Sequence, residues 1–591
     1  MTRTDRKQTS RPDRAGGGIG PGDPATSVAS PFHARELWIL ALLLTGTAAA
    51  FDVLFYGPTL EDAFITFRYA AHLAQGHGIG AWNISGERVE GFTSLLWMLL
   101  AAAAQGIGLN MVTVTKVAGM VSHLALLNFF ILYPLLPRRE QEASDAPPDL
   151  GNTPVLCGVV VGLYLPLAWY ASSGMETIPF ACLGAVFLLA RRLRYSTAIL
   201  TLSGVLLLLT RPEGMLLVAA GLAFTAYEKR VDYRETPDLK IVGGACLVTA
   251  LCIGLYRWVF FKDLVPNTYW AKAGGSTAAH LAWGLLYVRQ WSATHVLLVF
   301  LCLIGVINAF DRWRRPPRDT AMLARGIIPL LAIYFLYIIK VGGDNYSAFP
   351  FWRHVLHIFP LVALLAAFGI TRIRPCHRLF HLFLTVTLVL LVNVAILRAH
   401  GGTMARAIGS GLQHFPALSH APHHPYYTWL RSVTTPDTVI ASSLGGELPY
   451  VVDATHIDML GLNNRYIARH GTFEPGGLLD SKTDVQWVLA QRPDIIEGYI
   501  SARGILAGQP LSVLLDNPRH KMTSEMVASP IFQNEYLFVA SAPYGDMDRA
   551  LFARREFCNQ ISPVHPVQCT SIRNTPLALP PALETPRVGP E

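Results

Sequence analysis

The amino-acid sequence predicts an all-α polytopic membrane protein with a soluble α/β or α+β domain at its C-terminal end. Of its 591 residues, 52% are hydrophobic and only 15% are charged, and the mean hydropathy is +0.35. This composition is too apolar for a soluble protein of this length and is typical of many membrane spans. The basic residues lie in short loops between apolar runs, so the net charge of +8 indicates membrane topology rather than nucleic-acid binding.

Long apolar runs predict about 11–12 transmembrane helices, because a span needs about 20 residues. Runs of about 15 residues would have to be tilted or extended by polar ends. The predicted runs are 36–56, 91–108, 112–135, 153–171, 177–190, 196–210, 214–227, 240–261, 293–310, 326–340, 355–371 and 379–398.

Clusters of Arg and Lys mark cytoplasmic loops and therefore predict the topology. They place the N-terminus in the cytoplasm and the C-terminal domain in the periplasm of a multi-pass inner-membrane protein. One basic pair, Arg138 and Arg139, conflicts with this topology if the runs at 91–108 and 112–135 both cross the membrane. Either 91–108 is re-entrant, interfacial or partly merged with the next helix, or the pair is tolerated outside and a later short run does not cross.

Composition divides the chain into four predicted regions. The N-terminal residues are rich in Arg, Gly, Pro and Ser and are too polar for a signal peptide, so the first apolar run is interpreted as a retained signal anchor. After the last apolar run, Pro, His, Asp and Asn become frequent. The regions are a disordered cytoplasmic tail at 1–33, a transmembrane domain with periplasmic loops at 34–398, a periplasmic soluble domain at 399–570 and a disordered tail at 571–591.

Two stretches of the soluble domain carry clear secondary-structure patterns. Residues 438–452 (TVIASSLGGELPYVV) predict strand, turn and strand, and residues 484–500 (DVQWVLAQRPDIIEGYI) predict a short helix followed by a buried strand. The eight cysteines form no CxxC pair and no Cys/His metal spacing. Cys558 and Cys569 would form a local disulfide if this end of the chain is periplasmic.

The most unusual polar residues follow the first apolar run directly. Glu61 and Asp62 stand where a helix leaves the membrane, in the stretch LEDAFITFRYAAHLAQGHGIGAWNISGERVEGFT at residues 60–93. Adjacent carboxylates are costly to desolvate there, and a helix that needed only anchoring would favour Trp, Tyr, Lys or Arg. Together with Arg68 and the cations that follow, they indicate chemistry on a lipid-borne anionic substrate.

Later outward-facing loops add acids, cations and hydrogen-bonding residues at the same membrane face. The cations suit a phosphate at headgroup depth, because Arg offers a planar fork and Lys a point charge. The carboxylates suit a general base that takes a proton from a sugar hydroxyl, while the cations stabilise a departing lipid phosphate. The predicted polar cavity is lined by Asp62, Glu176, Arg211, Glu213, Lys272, Asp344 and Arg353.

Most of these residues also have a purely structural interpretation. Asp62 would cap the amphipathic helix predicted at 63–75. Arg211 and Glu213 would form an ion pair that fixes a hairpin. A glutamate at a helix start would favour the helix dipole, and long cations would extend to lipid headgroups. The dipole interpretation applies to Glu176. The headgroup interpretation applies to Arg68, Lys272 and Arg353.

Six segments together resemble one family. LEDAFITFRYAAHLAQGHGIGAWNISGERVEGFTSLLW is similar to the opening motif of the bacterial membrane arabinofuranosyltransferase-like proteins, which are related to the terminal arabinofuranosyltransferases of mycobacterial arabinan. SSGMET, TRPEG, KDLVPNTYWAK and VGGDNY are similar to later signatures of that family. IDMLGLNNRYIARHG, at residues 457–471, resembles its extracytoplasmic motif, and the segments keep the family's order.

The resemblance implies a GT-C fold, a multi-span helical bundle with catalytic external loops and a C-terminal extracytoplasmic domain. It implies inverting or retaining transfer from a polyprenyl-phosphate donor, such as decaprenyl-phosphoryl arabinofuranose, to a glycan. The family's first external loop usually carries two aspartates, and Glu61 departs from that pattern. By carry-over, Asp62 is the predicted catalytic residue and Glu61 its helper. No cofactor is certain: a divalent metal is left open but is not indicated.

The predicted function is therefore transfer of a sugar, D-arabinofuranose by the resemblance, from polyprenyl phosphate to a cell-envelope glycan or glycoconjugate on the periplasmic side. Rival predictions are a mannosyl-type hexose transferase of the same fold, a membrane transporter and a noncatalytic scaffold. The predicted partners are the lipid-linked donor, a glycan acceptor and the lipid bilayer. The predicted donor-phosphate residues are Arg68, Arg211, Lys272 and Arg353. The predicted sugar and acceptor residues are Glu176, Glu213, Asn267, Tyr269, Asp344 and His354.

Overall fold

The structure, a computed structural model, has a helical first part and a mixed second part. Among the residues that the structure describes, the elements up to residue 417 are helices, and from residue 425 strands alternate with short helices. The two-part architecture predicted from the composition is confirmed. The described residues are 31–137, 150–231, 238–272, 277–311, 323–343, 351–373, 377–417, 425–473, 482–500, 521–544, 547–561 and 569–571.

The helical part is a bundle with short helices at its loops. The helices are α1 (Ala34–Leu54), α2 (Glu61–Ala74), α3 (Leu95–Gly106), α4 (Met111–Ile131), α5 (Thr153–Leu163), α6 (Leu165–Ala171), α7 (Thr177–Leu189), α8 (Ser196–Thr210), α9 (Gly214–Val231), α10 (Leu239–Phe261), α11 (Asn267–Lys272), α12 (Thr277–Thr294), α13 (Val296–Asp311), α14 (Ile328–Val341), α15 (Arg353–Leu356), α16 (Phe359–Ile373) and α17 (Arg378–His414).

Four of these helices, α1, α4, α10 and α17, are long and apolar enough to cross a membrane. Two bent pairs also qualify as single spans: α5 with α6, at 63°, and α12 with α13, at 95°. On α10, Leu251 and Leu255 are 63% and 62% exposed, as expected for a surface that faces lipid. The total of about 11–12 spans stays a prediction.

The bend between α5 and α6 is held by a side chain from α17. Pro166, near the start of α6, has no amide hydrogen with which to continue the helix. Asn393 serves the freed backbone groups: its Oδ1 accepts from the Leu165 amide at 3.2 Å and its Nδ2 donates to the Leu163 carbonyl at 2.7 Å. Irregular backbone inside an apolar bundle requires such internal partners.

Helix α3 is shorter than the apolar run predicted at 91–108. Ser94 caps it by accepting a hydrogen bond from the Trp97 amide at 3.3 Å. Its 12 residues rise about 18 Å, well short of the roughly 30 Å of hydrocarbon in a bilayer. It packs against α2 and α4. These dimensions favour the interfacial or re-entrant interpretation, which removes the conflict at Arg138 and Arg139.

The second part is organised around a six-stranded mixed sheet with the strand order β2-β1-β5-β7-β6-β8. Strand β1 pairs in parallel with β2 and β5, whereas β7 runs antiparallel to β5 and β6. The elements are α18 (Pro425–Val433), β1 (Val439–Ser442), α19 (Glu447–Val451), β2 (Thr455–Asp458), α20 (Arg465–His470), β3 (Thr472–Phe473), β4 (Lys482–Thr483), α21 (Val485–Ala490), β5 (Ile495–Ile500), α22 (Lys521–Ala528), α23 (Pro530–Glu535), β6 (Tyr536–Tyr544), β7 (Met547–Arg554), α24 (Arg555–Ile561) and β8 (Thr570–Ser571).

The prediction for residues 438–452 is correct in its first half and wrong in its second. β1 forms as expected, but the predicted second strand is helix α19. The backbone amides of Gly446 and Glu447 donate to the carboxylate of Glu61, which lies on α2 in the helical part. Amides in the first turn of a helix have no acceptor within that helix, and the Glu61 carboxylate accepts from these two. This contact with a residue far away in the sequence therefore favours a helix over the predicted strand.

The first boundary of the predicted soluble domain, and two of its features, can be compared with the structure. Helix α17 runs across the predicted boundary at 398/399, and a non-helical residue, His400 (φ −133°, ψ 19°), lies just beyond that boundary. The helix and strand predicted at 484–500 are confirmed as α21 and β5. Near the end of the domain, Cys558 in α24 and Cys569 before β8 form a disulfide.

Candidate active site

Asp62 lies in the first turn of α2 and pairs with a buried arginine. Helix α2 begins at Glu61 after the cap residue Leu60, so Asp62 is not the helix cap that the structural interpretation predicted. Its Oδ2 instead accepts a hydrogen bond of 2.7 Å from Nη1 of Arg353. The Asp62 side chain is 22% exposed and the Arg353 side chain 7%. The carboxylate is thus paired with a cation and still accessible to a substrate.

The chain that leads into α2 is fixed by residues of the bundle. The Leu60 amide donates to the Ser173 carbonyl at 3.1 Å. Lys116, fully buried in α4, donates from Nζ to the carbonyl oxygens of Gly57 and Pro58 at 3.1 and 3.0 Å. Sequence reasoning missed Lys116, although a lysine inside an apolar run is itself a signal, because charges in spans are costly without a partner.

Arg211 joins two glutamates into a buried network beside this pair. It donates from Nε and Nη2 to the two oxygens of Glu213 at 3.2 Å each, and from Nη1 to Glu176. The Tyr337 hydroxyl adds a hydrogen bond of 3.1 Å to Glu213. Burial alone would lower the pKa of Arg211 and raise that of Glu213, but their mutual attraction shifts the pKa of each in the opposite direction, so both stay charged. The ion pair expected for this hairpin is present and is extended by Glu176.

Two histidines connect the network to Arg353. His354 and His357 follow Arg353 in and after the short helix α15, and their rings lie 5.7 Å apart at 88°. The Nδ1 of His357 is hydrogen-bonded to the Tyr334 hydroxyl at 3.0 Å. Burial, reinforced by the charge of Arg211, holds the pKa of His357 well below its ordinary value, so the ring is neutral. Sequence reasoning named His354 and missed His357, because its position shows only once α15 and α16 are folded.

Arg68, predicted at the donor phosphate, contacts a different set of groups. Its Nε donates to the Trp82 carbonyl at 2.8 Å, and its two terminal nitrogens donate to the carbonyls of Pro449 and Ala454. It is 4% exposed, and burial lowers its pKa to about 10. Carbonyl groups of both parts of the protein accept from Arg68, so this residue joins the two parts, and its role at the donor phosphate stays a prediction.

Glu61 and Asn267 also contact the second part of the protein. The Glu61 carboxylate accepts from the Gly446 and Glu447 amides at 2.9 and 3.0 Å. Asn267 donates from Nδ2 to the carbonyls of Gly461 and Leu462 at 2.8 and 2.9 Å. These two carbonyls belong to the segment 457–471 singled out in the sequence. Both contacts therefore hold the sheet domain against the outer loops of the bundle.

A family profile described as a domain of unknown function, DUF8728, matches residues 419–551. No curated protein matches the chain. Among solved structures, the chain is similar to the apo oligosaccharyltransferase of Archaeoglobus fulgidus, with a TM-score of 0.45, 12% identity and coverage of 85% of this chain and 73% of that one. It is also similar to ArnT from Cupriavidus metallidurans bound to undecaprenyl phosphate, with a TM-score of 0.47, 11% identity and coverage of 88% and 98%.

The predicted site residues thus fall into three groups. One group surrounds the Asp62–Arg353 pair and the Arg211 network, and another joins the two parts of the protein. Tyr269 and Lys272 are exposed on α11, where Tyr269 stacks edge-on against Trp270. Asp344 lies outside the described residues. The residues brought together are Asp62, Arg353, His354, Arg211, Glu213 and Glu176.

Proposed function

We propose that the protein is a membrane glycosyltransferase that passes a sugar from a polyprenyl-phosphate donor to a hydroxyl acceptor, with Asp62 as the general base. The contact between Asp62 and Arg353 is the observation that supports this most directly. A neutral hydroxyl is a weak nucleophile and needs a carboxylate within hydrogen-bond reach. A departing phosphate needs a positive group aimed at the charge that develops on it. The pair brings both groups to one point, at which the carboxylate is accessible.

In the proposed reaction, the acceptor hydroxyl gives its proton to Asp62 as its oxygen bonds to the anomeric carbon of the sugar. The bond from that carbon to the donor phosphate breaks, and its electron pair remains on the phosphate oxygen. Protonation of Asp62 weakens its attraction for Arg353, so the guanidinium becomes available to the leaving phosphate. The products are the glycosylated acceptor and polyprenyl phosphate, and Asp62 then releases its proton to solvent.

The other clustered residues support the pair in this proposal. Arg211 is paired with Glu176 and Glu213 beside the site, where their oxygens serve sugar hydroxyls or orient cations. Lys272 is a second candidate for the donor phosphate, since it is exposed on the outer loop and has a flexible point charge. The sugar we propose is D-arabinofuranose, on the strength of the sequence resemblance. The site residues themselves are equally compatible with a hexose.

Purified protein in lipid nanodiscs tests the proposal and separates the two sugars. The assay supplies polyprenyl-phosphate arabinofuranose or polyprenyl-phosphate mannose, each with a glycan acceptor, and mass spectrometry identifies the product. We expect a mass gain of one pentose from the first donor. A gain of one hexose from the second would support transfer but replace arabinose with the hexose. The absence of a product from both donors, in protein that is monodisperse and folded, would contradict the transferase proposal.

A further inference from the structure

Three side chains suited to binding a metal converge beside the Arg211 network, and the proposed transfer assigns them no shared role. Glu213, His354 and His357 each offer one carboxylate oxygen or ring nitrogen, and these three atoms lie within 4.8 Å of one another. Glu213 and His357 are buried, and His354 is partly exposed. Two separate segments contribute, since Glu213 directly precedes α9 whereas the histidines lie in and after α15.

His357 has the hydrogen-bond pattern of a metal ligand. Its Nδ1 is already paired with the Tyr334 hydroxyl. Its Nε2 is buried and has no hydrogen-bond partner within the part of the chain that the structure describes. A histidine that binds a metal through one ring nitrogen almost always uses the other nitrogen for an orienting hydrogen bond. Nε2 of His357 can therefore act as a ligand without the loss of an existing bond.

Glu213 can still bind a cation although its carboxylate is hydrogen-bonded to Arg211. Arg211 donates once to each oxygen, and Tyr337 donates to Oε1. A carboxylate offers about four lone-pair positions, so one on Oε2 remains beyond these three contacts. Charge is also favourable, because the three carboxylates of this region, Asp62, Glu176 and Glu213, outnumber its two guanidinium groups, Arg211 and Arg353, by one.

We infer that Glu213, His354 and His357 form a binding site for a divalent transition-metal cation, with Zn²⁺ as the best match. Two imidazoles and one carboxylate are a ligand set of zinc sites that keep a fourth position open. Mg²⁺ and Ca²⁺ prefer sites made of oxygen atoms alone. The inference does not depend on the proposed transfer, although a cation at this place would face the same anionic substrate.

Metal binding is measured directly on the full-length protein, purified without a metal-binding tag and stripped with a chelator. After dialysis against Zn²⁺ or Co²⁺, inductively coupled plasma mass spectrometry gives the metal content of each chain, and the visible spectrum of Co²⁺ reports nitrogen ligands. We expect about one ion per chain, and at least a tenfold loss of affinity in His357→Gln and in His354→Gln. His77→Gln, which replaces a partly exposed histidine just after α2 and outside the cluster, should bind as the wild type does.

Glu213→Gln is a third variant. His354→Gln controls for misfolding, because the His354 side chain is partly exposed. Each variant is first checked for an unchanged elution volume and helical circular dichroism. Wild-type protein that retains no ion, or the two histidine variants binding with wild-type affinity, would overturn the inference. The metal-binding measurement contains no sugar donor. A failure to bind metal would therefore leave the transfer proposal intact, and a failure of the transfer assay would leave the metal-site inference intact.

Discussion

At the scale of single residues, the predicted cations differ in what they can offer a phosphate. Arg68 donates to backbone carbonyls, and Arg211 is held between two glutamates. Arg353 is paired with the carboxylate of Asp62, which is 22% exposed. A guanidinium whose partner becomes protonated during the reaction can transfer its interaction to the product anion. This difference in surroundings makes Arg353 the central cation of the proposed site.

Replacement of Arg353 tests this assignment. We expect Arg353→Ala to lower kcat by about 10²–10³-fold, the range found when one group that stabilises a developing anion is removed. Arg353→Lys should recover part of the loss, because a point charge is retained without the planar fork. Kinetics with the active lipid-linked donor give the values, and Arg431→Ala, an exposed arginine of the sheet domain, is the control. Equal rates for Arg353→Ala and the control would contradict the assignment.

Sequence alone placed Asp62 and Arg353 on one membrane face but could not pair them. Their partnership spans 291 residues, and no local pattern encodes such a contact. The contacts of Arg68 were not foreseen for the same reason, since its acceptors Pro449 and Ala454 lie 381 and 386 residues further along. Lys116 could have been found, because an ionisable residue within a span is rare and usually has a defined partner.

At the scale of elements, α2 serves both parts of the protein. Glu61, Phe64 and Arg68 follow one another at intervals of three and four residues, so they share one face of the helix. That face contacts α19 and its flanks: Glu61 binds two amides, and the Phe64 ring lies 5.3 Å from that of Tyr450. Asp62 points instead to Arg353. Docking of the sheet domain therefore fixes the helix that carries the proposed base.

The side chain at position 61 should control this docking. Glu61→Ala and the shorter Glu61→Asp should speed hydrogen exchange at the Gly446 and Glu447 amides by about 10-fold or more, because a hydrogen bond to a charged group contributes about 1.5–3 kcal/mol. Glu61→Gln keeps one carbonyl acceptor, so its exchange rate at these amides should lie between those of the other two variants and that of the wild type. Hydrogen-exchange mass spectrometry of peptides covering α19 measures this. Wild-type exchange in Glu61→Ala would show that the contact does not hold the domain.

Acidic pH should weaken the same contact region. Burial, followed by the charge of Arg68, lowers the pKa of His72 from its ordinary 6.5 to about 4. The folded protein keeps this ring neutral, so the unfolded chain binds more protons as pH falls below 6.5, and stability decreases until about pH 4. The slope is on the order of 1.4 kcal/mol per pH unit for one histidine. The melting temperature of the wild type should therefore fall as pH is lowered across this window, and that of His72→Gln should fall less. Identical pH profiles of melting temperature for the two proteins would contradict the prediction.

At the scale of the whole molecule, composition was enough to predict a helical membrane part followed by a mixed domain. The apolar runs locate helices because burial in lipid requires them, whatever the neighbours are. Composition could not show how the mixed domain sits on the bundle. That arrangement depends on contacts such as Asn267 with Gly461 and Glu61 with Gly446, which join distant parts of the chain.

The disulfide between Cys558 and Cys569 links the architecture to the predicted topology. Disulfides persist in oxidising compartments, so the pair should be oxidised in cells if the sheet domain is periplasmic. Differential alkylation of intact cells, followed by mass spectrometry, should find both thiols blocked until a reductant is added. Cys558→Ser with Cys569→Ser should destabilise the domain by about 2–4 kcal/mol. Full alkylation of both residues without reductant would place the domain on the reducing side.

The most direct test of the proposed chemistry is the rate of transfer by Asp62→Asn, compared with Asp437→Asn, an exposed aspartate of the sheet domain. Asparagine has nearly the shape of aspartate but cannot take the acceptor's proton. We predict that Asp62→Asn lowers kcat by about 10²–10⁴-fold, the contribution of a general base, while expression and melting temperature change little. Asp437→Asn should keep the wild-type rate. Turnover by Asp62→Asn within a few-fold of that control would contradict the account.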